Sequence, residues 1–304
     1  MSTIKISHLR KNYGAFAAVD DFSLEIPAGT VFGLLGPNGA GKTTTFKCML
    51  GLAQPTSGII AYDGQPLVPE TFERIAYVPE RSVLYEWLTV AEHIEMNRRA
   101  FKAFEPARAL ELLAQFGVEP RKKVRTLSKG MRTAVMVAIA FARNADLLVL
   151  DEPTSGLDPV NQRHVLSLII NEAAKGHSVL FSSHQIGQVE RAAERIAVMS
   201  RGRLILEGAV DDLKMDRKIV EGIFSDTAYS LNGLATDSRI ARVDRVERIV
   251  RLLVLRDAEG VAAQLTAAGA TGVRVVDLNL EDIFLYAVSP SDATADVVAV
   301  ESGR

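Results

Sequence analysis

The chain has 304 residues, 48% of them hydrophobic and 24% charged, the composition of a globular protein with a substantial core rather than of a disordered one. A formal net charge of -2 and a single cysteine, Cys48, argue against a surface built to wrap nucleic acid, an intramolecular disulfide framework and a cysteine-rich zinc site. At this length, one large domain and a smaller one are expected.

The opening residues, MSTIKISHLRKNYG, lack the apolar segment of a secretory leader, and no run reaches the ~18 apolar residues of a membrane-spanning helix. The chain itself is therefore expected to stay in the cytosol. From Ile4 to Ile26 polar and apolar residues alternate, as in Phe22-Ser23-Leu24-Glu25-Ile26, which predicts an antiparallel β-flank ending at the turn Pro27-Ala28-Gly29. Between its two strands Tyr13 lies in a turn with Asn12 and Gly14, where its ring either leaves the core to stack on a base or packs inward.

Thr30 to Leu35 is a short apolar run suited to a buried strand, and Thr44 to Leu50 can form a helix. Between them, Gly36-Pro37-Asn38-Gly39-Ala40-Gly41-Lys42-Thr43-Thr44 satisfies the G-x-x-x-x-G-K-[ST] phosphate-loop pattern in the required order of strand, loop and helix. Gly36, Gly39 and Gly41 allow a tight fold in which consecutive amides point inward, and the helix start favours negative charge. Lys42 is expected on the terminal phosphates, Thr43 beside Mg2+, and Thr44 on the far side of the phosphates. A plain glycine-rich turn does not account for a lysine and a hydroxyl at that spacing.

Two more strands follow, Ile59 to Gly64 and Arg74 to Glu80, the second placing Glu80 at its end. Thr89 to Phe116 has helical composition, and the basic run Arg121 to Arg125 reads as a solvated face. Thr126-Leu127-Ser128-Lys129-Gly130-Met131 opens an apolar helix from Arg132 to Arg143, with Ser128 placed to cap it. Asp146 to Glu152 is an apolar strand that delivers two carboxylates at its end, where parallel sheets put their chemistry. Asp151 suits Mg2+, directly or through water, and Glu152 suits the general base that polarises an attacking water.

A loop from Pro153 to Pro159 and a helix from Val160 to Lys175 lead to the strand Ser178 to Ser182, which ends in Ser183-His184. That position singles out His184, whereas His8, His93, His164 and His177 keep the structural role a lone histidine usually has. Strands Arg195 to Ser200 and Arg203 to Glu207 straddle Arg201-Gly202 as a hairpin and finish the sheet. Beyond it, Arg248 to Arg256 reads as a strand, Glu259 to Ala268 as a helix and Val273 to Leu278 as a strand, giving a small α+β module, and Ser289 to Arg304 as a loose tail.

In this order the motifs resemble the ATP-binding subunits of ABC transporters over roughly residues 3 to 214. The resemblance implies an α/β P-loop NTPase core of ABC type, with an antiparallel β-flank and a helical insertion at about residues 79–130, in a domain spanning 1–214. Met215 to Val288 looks like the C-terminal α+β accessory domain of multidrug and antibiotic export ATPases, chiefly through Leu278-Asn279-Leu280-Glu281-Asp282-Ile283-Phe284. Tyr13 matches the adenine-stacking position, Gly36 to Thr44 the phosphate loop, Leu147 to Glu152 the second acidic motif, Ser155 to Asp158 the D-loop and His184 the switch histidine. Leu127 to Met131 matches the signature motif, so Ser128 and Gly130 are implied to contact the nucleotide held by a second copy, with Asp158 beside them.

Three positions, Glu80, Lys129 and Met131, depart from the family pattern. The signature reads LSKGM where LSGGQ is commonest, and Glu80 stands where a glutamine is usual. Ser128 and Gly130 keep the hydroxyl and the backbone amide, and a carboxylate ligates Mg2+ at least as readily as an amide does. The implied protein is an ATPase with ATP and Mg2+ at Thr43, Glu80 and Asp151, catalysis by Lys42, Glu152 and His184, and closure as a head-to-tail pair of identical subunits. It would sit at the cytoplasmic face of the cell membrane through separate permease subunits, contacted by the segment Glu80 to Phe101 with Tyr85, Trp87 and Leu88, and would export a small molecule. Ordinary helix packing is the competing account of that segment. A soluble ABC-type ATPase acting on ribosomes or DNA shares every nucleotide motif, but usually carries tandem cassettes or long coiled-coil insertions, and this chain has one phosphate loop and no sustained heptads.

Overall fold

A computed structural model describes residues 3–288; the tail expected over 289–304 lies outside them. The chain divides into two units, residues up to Gly208 and residues from Ala209.

The first unit begins with β1 (Ile4–Tyr13) and β2 (Phe16–Ile26), an antiparallel pair in which Ile4, Ile6 and Leu9 are buried on one side. The left-handed backbone of His8, φ 51°, lies where the register slips between Ile6 and Leu9, so that both keep their side chains in the core. Next come β3 (Val31–Leu35), α1 (Lys42–Met49), β4 (Ser57–Tyr62), β5 (Gln65–Pro66), α2 (Pro69–Glu73) and β6 (Ile75–Val78). The helical part holds α3 (Val90–Ala100), α4 (Pro106–Gln115) and α5 (Lys129–Phe141). The single helical stretch expected over Thr89 to Phe116 is two helices. Phe101 is extended, and Pro106, which lacks an amide proton, is tolerated only at the first position of a new helix. The Thr89 hydroxyl accepts from the Glu92 amide while Glu92 accepts from that of Thr89, so α3 starts with a reciprocal cap. The chain continues through β7 (Leu147–Asp151), α6 (Pro159–Ala174), β8 (Ser178–Ser183), α7 (Ile186–Ala192), β9 (Arg195–Ser200) and β10 (Arg203–Ala209).

These strands make two sheets, β2-β1-β4-β5 and β10-β9-β3-β8-β7-β6. In the second, β9, β3, β8, β7 and β6 run parallel, and β3, β7 and β8 are buried throughout. Phe22 from the first sheet, Phe32 and Leu180 from the second and Phe46 from α1 meet in one core, which fixes the sheets on either side of α1. Parallel strands end together. Leu35 pairs with Ser183 and Asp151 with Ser182, so the carboxyl ends of β3, β7 and β8 bring the phosphate loop, the two acids and His184 to one edge.

The second unit contains α8 (Val210–Asp216), β11 (Lys218–Ile223), β12 (Ile240–Val246), β13 (Ile249–Val254), α9 (Ala258–Ala267), β14 (Thr271–Asp277) and α10 (Leu280–Val288). Its antiparallel sheet has the order β12-β13-β11-β14. Val261 and Leu265 of α9 cover Val220, Val250, Leu252 and Val254, a core independent of the first. The unit starts earlier than the 215 expected from sequence, because α8 buries Val210 and Leu213 and packs on α10 within this second unit.

Candidate functional site

The loop after β3 is shaped by steric exclusion. Gly39 has φ 79° and Gly41 φ 109°, conformations that side chains rarely adopt, and a Cβ at Gly36 would lie 2.3 Å from the Met199 carbonyl. Ala40 is buried and gives its carbonyl to the Gly202 amide at 2.9 Å, while Pro37, Asn38 and Gly39 are exposed, leaving the crest of the loop open. Lys42 is buried. Its Nζ donates to the Gly36 carbonyl at 2.7 Å and to the Pro37 carbonyl at 3.3 Å, so the ammonium is folded back onto the loop instead of reaching outward. Burial pulls the Lys42 pKa down, against the opposing attraction of Glu152, Asp151 and Glu80. Thr44 is half-buried in the first turn of α1.

Asp151, at the end of β7, is held through both oxygens. The Thr43 hydroxyl donates to Oδ2 at 2.7 Å and the Ser182 hydroxyl to Oδ1 at 2.6 Å. The next residue, Glu152, has φ 52°, a strained backbone for a residue with a side chain. Its amide donates to Ser182 Oγ at 3.0 Å, and its Oε2 lies 2.8 Å from Nδ1 of His184. Burial raises the Glu152 pKa; His184 and then Lys42 work against that shift, and Asp151 adds to it. A carboxyl with a raised pKa on a strained turn, oriented by an imidazole, has the attributes of a general base.

Glu80 is exposed at the end of β6, close enough to act on Lys42 electrostatically. It borders a cavity of about 420 Å³ with Arg81, Ser82, Lys129, Arg132 and Thr133, none of them from the phosphate loop. Among the described residues no three His, Cys, Asp or Glu side chains gather as a metal cluster. Mg2+ does not need one. It uses one or two carboxylates with substrate phosphates, and the joined Thr43 hydroxyl and Asp151 carboxylate offer donors of that kind.

The residues expected to serve a second copy lie at two helix starts. Ser128 caps α5, its hydroxyl accepting from the Met131 amide at 3.2 Å. Asp158 caps α6, accepting from Val160 N at 2.9 Å and Asn161 N at 3.0 Å, and these bonds lower its pKa. Gly130 lies against the Gly156 carbonyl, 2.4 Å from where its Cβ would stand. Among the described residues, no side-chain hydrogen bond joins Ser128 or Asp158 to Lys42, Thr43, Asp151 or Glu152. Tyr13 is the last residue of β1, not part of the turn, and is 51% exposed with Lys11 Nζ 4.8 Å from its ring centroid. The ring is out of the core.

The family model for ABC transporters matches residues 19–155. The Nod factor export ATP-binding protein I of Cupriavidus pinatubonensis is 34% identical over 295 residues, which are 93% of this chain and 89% of that protein. This chain belongs to the ABC transporter family of ATP-binding proteins. The ABC transporter ATP-binding protein YhaQ of Bacillus subtilis is 37% identical over 217 residues, 69% of this chain and 72% of its own. Among solved structures, the dimeric ATP-binding cassette MJ0796 in a post-hydrolysis state with ADP and Pi has a TM-score of 0.62 at 25% identity, covering 68% of this chain and 98% of that one. The ABC subunit is accordingly a nucleotide-binding ATPase coupled to transport, from a family whose cassettes form dimers and work with membrane permeases. No helix among its described residues is long and apolar enough to cross a membrane.

Motif reading of this ABC subunit missed three contributors. Ser182 bridges Asp151 and the Glu152 amide; only the β7–β8 register reveals it. Gln188 of α7 accepts from the Thr154 hydroxyl at 2.7 Å and so holds the segment after Glu152. Phe16, 65% exposed, faces Tyr13 across the hairpin, a pairing that alternation alone could have suggested.

Proposed function

We propose that two copies of this ABC subunit close head to tail around two ATP molecules, hydrolyse them and drive a separate membrane permease that exports a small molecule. The observation that carries the reading is the convergence of Thr43, Asp151, Glu152 and His184 at the ends of β3, β7 and β8, linked by bonds of 2.7 and 2.8 Å. Gly36 to Gly41 would direct amides at the phosphates, and Lys42 would exchange its loop carbonyls for phosphate oxygens. Thr44 lies beside them, and the Tyr13 ring would cover the base. Thr43 and Asp151, joined by Glu80, would hold Mg2+, which supplies positive charge against the phosphates. Glu152, oriented by His184, would take the proton of the attacking water.

Ser128, Gly130 and Asp158 would meet the nucleotide of the second copy, a reading supported by the absence, among the described residues, of any side-chain hydrogen bond from Ser128 or Asp158 to Lys42. ATP then makes contacts in the closed pair that neither open subunit offers, and hydrolysis removes them. Export is supported by the Nod factor export protein, whose similarity runs through both units of this chain. The permease would dock on the segment Glu80 to Phe101, where Val83 is 70%, Tyr85 46% and Trp87 67% exposed, an apolar patch that a partner can cover. That partner holds the subunit at the cytoplasmic face of the membrane; nucleic acid has no part in this reading. The second unit acts as a separate accessory domain.

The shared site is tested by mixing Ser128→Arg with Lys42→Ala protein. Each alone is expected to be inactive, and the mixture to recover activity through its one intact composite site. Confirmed mixed dimers with no ATPase activity would count against a site built from two protomers. Co-purification with ribosomes or DNA instead of an integral-membrane protein would favour the soluble ABC ATPase.

A further inference from the structure

The start of α5 is fastened to the turn that carries Glu152. Lys129, the first residue of α5, donates from Nζ to Ser155 Oγ at 3.0 Å. Its methylenes roof Gly156, where a Cβ would lie 3.2 Å from Lys129 Cγ and Cδ. One turn further, the Thr133 hydroxyl donates to the Ser155 carbonyl at 3.0 Å. From Ser155 the connection continues to the site, because its amide donates to the Glu152 carbonyl at 3.0 Å.

Glu152 needs such support. At φ 52° its backbone sits in a sparsely populated region and persists only where the surroundings hold it. Two holders, Ser182 and His184, come from β8 and its end, and grip the amide and the carboxylate. The grip on the carbonyl comes from Ser155, which α5 secures through Lys129 and Thr133. Among the described residues Lys129 has no carboxylate in ion-pair range, and its ammonium is engaged by the Ser155 hydroxyl. The route from the lysine to Glu152 runs through its hydrogen bond to Ser155.

We infer that Lys129 is a positioning residue for hydrolysis: by holding Ser155 it fixes the turn on which Glu152 depends, so that the start of α5 and the general base move together within one chain. The inference rests on Glu152 being the base. It also gives a role to the lysine that replaces a glycine in the commonest signature.

Steady-state ATP hydrolysis by the full chain tests it. Lys129→Met is expected to lower kcat about tenfold, the scale of one charge-assisted hydrogen bond, with KM for ATP within about twofold. Lys129→Gln, which keeps an N–H donor without the charge, should stay within about threefold of the parent kcat. Ser155→Ala should match Lys129→Met, and the double variant should fall no lower than the worse single one. If Lys129→Met melts early, Ser155→Ala and Lys129→Gln decide the matter on their own. A parent-like kcat for Lys129→Met, multiplicative losses in the double variant, or activity restored by Lys129→Arg but not by Lys129→Gln would overturn it, the last by showing that the charge acts on an anion. An active Glu152→Gln protein would remove the base reading and this inference together, whereas an inactive one beside a normal Lys129→Met protein sinks the positioning role alone.

Discussion

His184 Nδ1 stands 2.8 Å from Glu152 Oε2, with the carboxylate side chain 9% exposed and the imidazole 53% exposed. The pair thus spans the boundary between a dry sheet edge and solvent. With a proton on Nδ1 the imidazole donates to the carboxylate, fixing its direction while leaving Nε2 outward.

If Glu152 takes a proton in the hydrolytic step and Lys42 serves phosphate binding, their loss must differ in kind. Glu152→Gln is expected to bind ATP within about threefold of the parent and to lose turnover about a hundredfold or more, the lower end of general-base contributions. Lys42→Ala should lose both binding and turnover. Nucleotide titration and phosphate release on the two proteins check this, and near-normal turnover in Glu152→Gln removes Glu152 from the base role.

The pH profile of His184→Ala tests the pairing itself. A base must be ionised to act, so kcat falls on the acid side as Glu152 takes up a proton. Burial already raises that pKa, and the charge and hydrogen bond of His184 oppose the rise. Removing the imidazole leaves burial less opposed, and the acid limb of kcat is expected at higher pH than in the parent, with kcat at neutral pH lower by about tenfold. An acid limb at the parent position would separate His184 from the ionisation of Glu152.

The same burial makes a stability prediction. A carboxyl whose folded pKa lies above its unfolded value is tolerated best when protonated, so its contribution is fully present below the unfolded value, near pH 4.5, and is lost as pH rises through the folded pKa. The amide introduced by Glu152→Gln carries no charge to desolvate and meets the same φ of 52°. Glu152→Gln should therefore melt higher than the parent at about pH 7.5, with the gap closing toward about pH 4. Thermal melts of the two proteins across that range decide it; a gap that widens toward acid would contradict the raised pKa.

Legibility in the sequence followed the range of the interactions. The phosphate loop was readable because a strand, a turn and a helix start are local, and Gly39 and Gly41 carry the left-handed angles their loop demands. Strand-end carboxylates were readable for the same reason. The bond from Ser182 to Asp151 was not, since it joins residues of two strands whose pairing is set by the whole sheet. Nor was the tie from Lys129 to Ser155, which needs the start of α5 and the turn after β7 to be brought together by packing. In the second unit, β11 and β12 escaped notice. Glu221 and Arg242 interrupt their apolar pattern, and each is accommodated by a charged neighbour, Arg274 for the first and Asp244 for the second.

The division after Gly208 yields the last prediction, in which the point of truncation matters more than its extent. The first unit has its own core around Phe22, Phe32 and Phe46, and the loop, the two acids and His184 all lie before Gly208. A chain ending at Gly208 is expected to fold and to bind ATP within about threefold of the full chain. A chain ending at Lys214 keeps most of α8 without α10, against which that helix packs, and so exposes Val210 and Leu213, about 1.5–3 kcal/mol of lost burial for each. It should aggregate more readily than the shorter chain although it retains more sequence. Sedimentation and equilibrium ATP binding on both proteins distinguish the outcomes. A folded chain ending at Gly208 that no longer binds ATP would mean that the second unit supports the nucleotide site, and a longer chain that behaves better than the shorter one would return α8 to the first unit.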